Sequence, residues 1–228
     1  MELFVGVKLE SGFAGEFSKN VIKEMAKKIK QKADVIRTTI TNDLRKSVRE
    51  SLISTPEYRS ILQGKLRGEL GIPNSDVRII TIIDTWVNNI SVKVKAGKNP
   101  FLLIDIGIIK DDYLDVLSLP QSSYTYEGRR GQAIIPWLKW LLLEGDKRII
   151  TKYEFTSAIT RNSRTGMGIM ISKQKGAWQV PPEYSGTSVD NFATRALGNI
   201  ESVIDDIVER AVKGLSLIHI SEPTRQAE

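Results

Sequence analysis

From residue 17 to about residue 52 the apolar side chains Val21, Met25, Ile29, Ala33, Ile36, Ile40, Leu44, Val48 and Leu52 recur at spacings of four and three, which places them on one face of a single long helix. At 1.5 Å per residue such a helix extends on the order of 50 Å. Residues 3–9 ahead of it read as a strand. After it, Ser54-Thr55-Pro56-Glu57 carries a fresh helix start with Ser54 as N-cap, and Gly71 with Pro73 closes that second helix. From Asp76 the period changes. Residues 77–83 and 90–94 are β-branched runs with partial alternation, predicted to pair as antiparallel strands. Gly97-Lys98-Asn99-Pro100 reads as a turn, and residues 101–109 as another buried strand.

Residues 111–119 fit a short helix or an irregular excursion, and residues 121–131 have the composition of an exposed loop. Residues 135–145 read as a short, very apolar helix with Pro136 in its first turn and Gly145 at its end. That helix belongs to the core or faces another subunit, since tryptophan is enriched in both settings. Two further strands are predicted at 149–159 and 168–172. A last amphipathic helix follows over 188–212, with Phe192, Ala196, Ile200, Val203, Ile207 and Ala211 on one face. The class expected is α+β: a long N-terminal helix, a small antiparallel sheet and a C-terminal amphipathic helix, forming one domain over 1–214 with 111–145 as an insertion.

Composition narrows the chemistry. The chain of 228 residues is 41% hydrophobic and 26% charged, has no cysteine and carries a single histidine, His219. Thiolate nucleophiles and disulfides are excluded. His219 lies in residues 215–228, where Leu215-Ser216-Leu217-Ile218-His219-Ile220-Ser221-Glu222-Pro223-Thr224-Arg225 resembles, codon by codon, a translated library adapter of the kind carried by metagenomic reads. With that tail set aside, no imidazole remains for triads, zincin motifs or general acid–base work. No glycine pattern for phosphates occurs, no cofactor is expected, and no stretch reaches the length of a membrane span.

Without Arg225, Glu222 and Glu228, the 33 basic and 27 acidic residues become 32 and 25, a net charge of +7. The excess is local: Lys19, Lys23, Lys27, Lys28, Lys30 and Lys32 face only Glu24 in their span. Such a stripe is a solvated helix face or a phosphate contact, with Lys19, Lys23, Lys27 and Lys30 the candidates for weak, sequence-independent nucleic-acid binding. The acids that could serve a divergent metal-dependent nuclease are Asp84, Asp105, Asp111, Asp112, Glu144, Asp146 and Glu154, with no nuclease-like spacing among them.

The densest unusual stretch runs over 160–187. Arg161, Arg164, Thr165 and Gly166 stand among small polar residues there, followed by Trp178, Pro181 and Pro182. Arginines among glycines offer donors to carboxylates or phosphates on a partner, or else decorate a solvated hairpin. Next comes Gly186-Thr187-Ser188-Val189-Asp190-Asn191-Phe192-Ala193-Thr194-Arg195-Ala196-Leu197. With the order of elements around it, this segment resembles tail-completion and head–tail joining (neck) proteins of tailed bacteriophages, the minor tail protein Z group among them. The 111–143 insertion departs from the smaller members. The resemblance implies a non-enzymatic virion structural subunit that joins or completes the tail as a homo-oligomeric ring. Its partners would be further copies of itself, tail-tube and head-connector proteins, and it would reside in the virion after assembly in the host cytoplasm. Gly186, Thr187, Asn191 and Arg195 would join the arginine-rich loop at the interface.

Overall fold

A computed structural model describes residues 2–8, 16–96, 101–128, 131–157 and 163–217, with side chains over 27, 31–95, 103–127, 131–157 and 163–213. The predicted turn at Gly97–Pro100, Arg161 and His219 lie outside the described residues. Helices and small antiparallel sheets alternate, so the protein is α+β. By internal contacts the chain divides into two compact units, each threaded from separate segments: 1–47, 89–109 and 199–228 in unit 1, and 48–88 and 110–198 in unit 2.

Helix α1 (Glu16–Ser54) is the predicted long helix. In unit 1 its spaced stripe Ile36, Ile40 and Leu44 is buried. Strands β1 (Glu2–Lys8), β2 (Ser91–Ala96) and β3 (Phe101–Gly107) form one antiparallel sheet in the order β1-β3-β2. Alternation sorts its faces. Val92 and Ile106 are register partners and both buried, while the next pair along, Lys93 and Asp105, forms an ion pair at 3.6 Å on the other face. Ile200, Ile204, Ile207 and Val208 add the buried stripe of a C-terminal helix that runs to Leu217 and so reaches three residues into the adapter-like segment.

Unit 2 overturns one strand. Residues 77–83, predicted to pair with 90–94, lie in a helix (Ser75–Asn89), and β2 pairs with β3 instead. Ile79, Ile82, Ile83, Trp86 and Val87 are buried at spacings of three, four, seven and eight, whereas Val77 and Ile80 are exposed. Burial of one helical stripe outweighs the β preference of isoleucine and valine, which is a weak and context-dependent term. The N-cap of α2 (Pro56–Gln63) is Thr55, whose hydroxyl accepts from the Tyr58 N–H at 3.3 Å, rather than Ser54, which ends α1. A break at Gly64 separates α2 from α3 (Lys65–Leu70), and Gly71, in the left-handed region at φ 61°, closes α3 as expected. The 75–89 helix is α4.

Residues 111–119 contain one short helix, α5 (Leu114–Leu117). The predicted loop 121–131 is largely a hairpin of β4 (Tyr124–Gly128) and β5 (Gly131–Ile135), preceded by a 3-10 turn. Helix α6 (Trp137–Leu142) buries Trp137, Leu138, Leu141 and Leu142 within the protomer, so the core reading holds. Strands β6 (Ile150–Thr156) and β7 (Ile169–Trp178) form a second two-stranded ribbon. The predicted last helix is two helices, α7 (Phe192–Ala196) and α8 (Ile200–Leu217), interrupted around Gly198. In unit 2 the Trp86 ring meets Phe192 and Tyr113 at centroid distances of 6.0 and 6.4 Å.

Candidate interaction surface

Helix α7 has only five residues, too few to hold itself in water, and side chains fix its start. The Asn191 side-chain oxygen accepts from the Ala193 and Thr194 N–H groups at 2.9 and 3.2 Å, and the Asn191 N–H donates to the Thr194 hydroxyl at 2.8 Å. The Asn191 amide nitrogen donates onward to the Tyr113 hydroxyl at 3.0 Å and to the Thr187 carbonyl at 2.8 Å. Burial raises the Tyr113 phenol above its ordinary value, and the Asn191 hydrogen bond pulls the other way. Upstream, Gly186 accepts from the Gly145 N–H at 2.9 Å, and a Cβ at Gly186 would lie 2.1 Å from the Leu141 carbonyl oxygen.

Arg195 stands on α7 and its donors are committed inside unit 2. Its Nη1 lies 3.1 Å from the Glu57 carboxylate, its Nε 3.1 Å from that of Asp190, and its Nη2 donates to the Ser185 carbonyl at 2.6 Å. Glu57 is 2% exposed, so its carboxylate is removed from water, while the Arg195 side chain keeps 32% of its surface exposed. Arg195, Asn191, Gly186 and Thr187, taken from sequence as interface residues, therefore serve the protomer's own packing. Thr187 accepts from the Asp190 N–H at 3.2 Å. Trp178 is likewise buried, its indole N–H donating to the Glu69 carboxylate at 3.0 Å, and Pro181 is buried while Pro182 is exposed. Burial pushes the Glu69 carboxyl up from its ordinary value, against the Trp178 hydrogen bond and the Lys65 ammonium, which favour its ionised form.

Arg164 is placed differently. Its loop is pinched by the Ser163 hydroxyl, which donates to the Gly168 carbonyl at 2.7 Å, and by Thr165, whose hydroxyl accepts from the Met167 N–H. Gly166 takes φ 70° at the tip. The guanidinium carbon sits 4.4 Å from the Tyr126 ring centroid and 5.3 Å from that of Tyr124, cation–π distances on two neighbouring rings. Tyr124 donates to the Leu70 carbonyl at the end of α3, and a Cβ on Gly71 would come within 2.8 Å of Arg164 Nη2. Among the described residues Arg164 forms no ion pair, although it is exposed at the edge of a cleft of about 660 Å³.

Both ribbons contribute to that cleft, Tyr126 and Ile135 from one, Ile150, Tyr153, Ile169 and Met170 from the other. Among the described residues each ribbon has two strands, with no third strand paired on either edge. Tyr126, Ile134, Tyr153 and Ile171 are exposed on them, Ile134 at 70%. The exposed loop predicted over 121–131 thus carries apolar side chains on a strand pair, and alternation of Tyr124 and Tyr126 was the available signal.

The acids do not converge. Asp84 pairs with Arg49, Asp105 with Lys93, Glu144 with Lys139 and Lys147, and Glu154 with Lys173. The Asp112 carboxylate accepts from the Leu114 N–H, and Asp146 is exposed. Among the described residues no three acids or imidazoles are grouped to hold a metal ion. Lys19, Lys23, Lys27 and Lys30 lie on α1 at helical spacing. Lys27 is exposed, and the side chains of the other three lie outside the described residues. No helix among the described residues is long and apolar enough to cross a membrane. Comparison of the chain with protein-family models, curated proteins and solved structures gives no match.

Proposed function

We propose that this protein is a non-enzymatic structural subunit that works by assembly, and that the assembly is the neck or tail terminus of a tailed-phage particle. The observation that carries the assembly part is the pair of two-stranded ribbons in unit 2, with open edges and exposed Tyr126, Ile134, Tyr153 and Ile171. A two-stranded sheet is marginal in water, and an unpaired edge bearing apolar side chains is a template for another chain. A neighbouring subunit would complete both the hydrogen bonding and the burial. The particle itself comes from the resemblance at Gly186–Leu197, where a tight turn leads through a capped, aromatic-bearing α7 into the terminal helix.

The test is mass by sedimentation velocity, alone and mixed with tail-tube and connector proteins encoded beside it. Rings or mixed complexes are expected for the parent chain. Ile134→Glu, which charges an exposed ribbon position, should abolish them while leaving circular dichroism unchanged. A parent chain that stays monomeric with every such protein, or an Ile134→Glu variant that assembles normally, overturns the reading.

A further inference from the structure

We infer that the cleft at Arg164 is a docking site for an acidic, extended segment of a partner protein, with a carboxylate seated on the Arg164 guanidinium. This rests on the assembly reading and names the chemistry of the partner. Arg164 is an arginine of unit 2 with no ion pair among the described residues, and unlike Arg78, whose donors go to backbone carbonyls, it lines the cleft. Its guanidinium carbon lies over two tyrosine rings, and the absence of a side chain at Gly71 leaves room for it there. A guanidinium has five donors in a planar fork that matches a carboxylate. The carboxylate nearest in the cleft lining, Glu69, does not supply the match. It already takes the Trp178 N–H and stands 3.9 Å from Lys65.

The surroundings define the rest of the ligand. Ile135, Ile150, Ile169 and Met170 form an apolar wall, so residues flanking the acid should be apolar. Open strand edges on both ribbons favour an extended backbone, which adds main-chain hydrogen bonds as a further strand. At about 660 Å³ the cleft accommodates a few side chains rather than a folded surface. Charge complementarity points the same way, since the β6–β7 ribbon adds the exposed Lys152.

The probe is a fluorescent hexapeptide of alternating glutamate and valine, with alternating glutamine and valine as the neutral counterpart, followed by anisotropy on the full chain. Saturable binding of the glutamate peptide is expected, at least about tenfold weaker for the glutamine peptide and for Arg164→Gln. Arg164→Lys, which keeps the charge and loses the fork, should fall between, and thermal melts establish that both variants fold. Lys175→Gln should bind as the parent does. Equal binding of both peptides, absence of binding, or equal losses in Arg164→Gln and Lys175→Gln would overturn the site, the last by showing diffuse attraction. Peptide binding by a chain that never assembles would retain the cleft and sink the assembly reading, whereas assembly without peptide binding would do the reverse.

Discussion

Arg195 and Arg164 come from neighbouring glycine- and serine-rich stretches and look interchangeable in sequence, yet the fold uses them in opposite ways. Arg195 lies against a carboxylate that burial has removed from water, Glu57, and three further oxygen partners take up its fork. Arg164 rests on the faces of Tyr126 and Tyr124, which orient a cation without cancelling its charge. What separates a structural arginine from one presented outward is the identity of its neighbour: a buried acid demands a cation, an aromatic face merely holds one.

The largest effect should come from removing the frame on which Arg195 stands. Phe192 is fully buried against Trp86, and Phe192→Ala should cost about 3–5 kcal/mol in urea unfolding, freeing α7 and Arg195 together. A loss near zero would mean that the polar cap alone holds α7. Next, Arg195→Glu should cost about 2–3 kcal/mol, because Glu57 is left buried against a like charge, while Arg164→Gln should stay within about 1 kcal/mol. Similar melting temperatures for these two variants would erase the distinction between the arginines.

The smallest effect concerns pH. Burial lifts the Glu69 carboxyl, so the folded chain holds that proton more tightly than the unfolded one. The stabilisation this gives is complete below the ordinary carboxylate range and is lost as pH rises through the folded value. Glu69→Gln cannot ionise. Relative to the parent it should therefore gain stability as pH rises from about 4 through the folded value, read from paired thermal melts. A difference that does not change with pH would show that Lys65 and Trp178 cancel the desolvation, and one of opposite sign that they outweigh it.

Where apolar residues kept one period over many turns, sequence and structure agree: the α1 stripe is buried from Ile36 to Leu52 at the predicted spacing, and the apolar residues of α6 lie inside. The reading failed at α4 because it stopped at Ile83. Extending the same pattern past Asp84 to Trp86 and Val87 completes a helical face that the β-branched composition had disguised. The surface was less legible still. That Arg195 would meet Glu57, or Arg164 the ring of Tyr126, depends on segments brought together only by the tertiary fold, and neither local spacing nor composition encodes such a meeting. The Gly186–Leu197 segment, expected at an interface from its resemblance, carries a tight turn and a capping box that hold it within its own protomer.

The tilted contact of Phe192 with Trp86 also bears on how the chain is made. The two rings belong to one core but come from its two separate segments. A ribosome adding about 5–20 residues per second delivers Phe192 roughly 5–20 s after Trp86. Through that interval the Trp86 face of α4 can meet the Tyr113 ring but not that of Phe192. The core of unit 2 is therefore complete only once translation has passed Phe192.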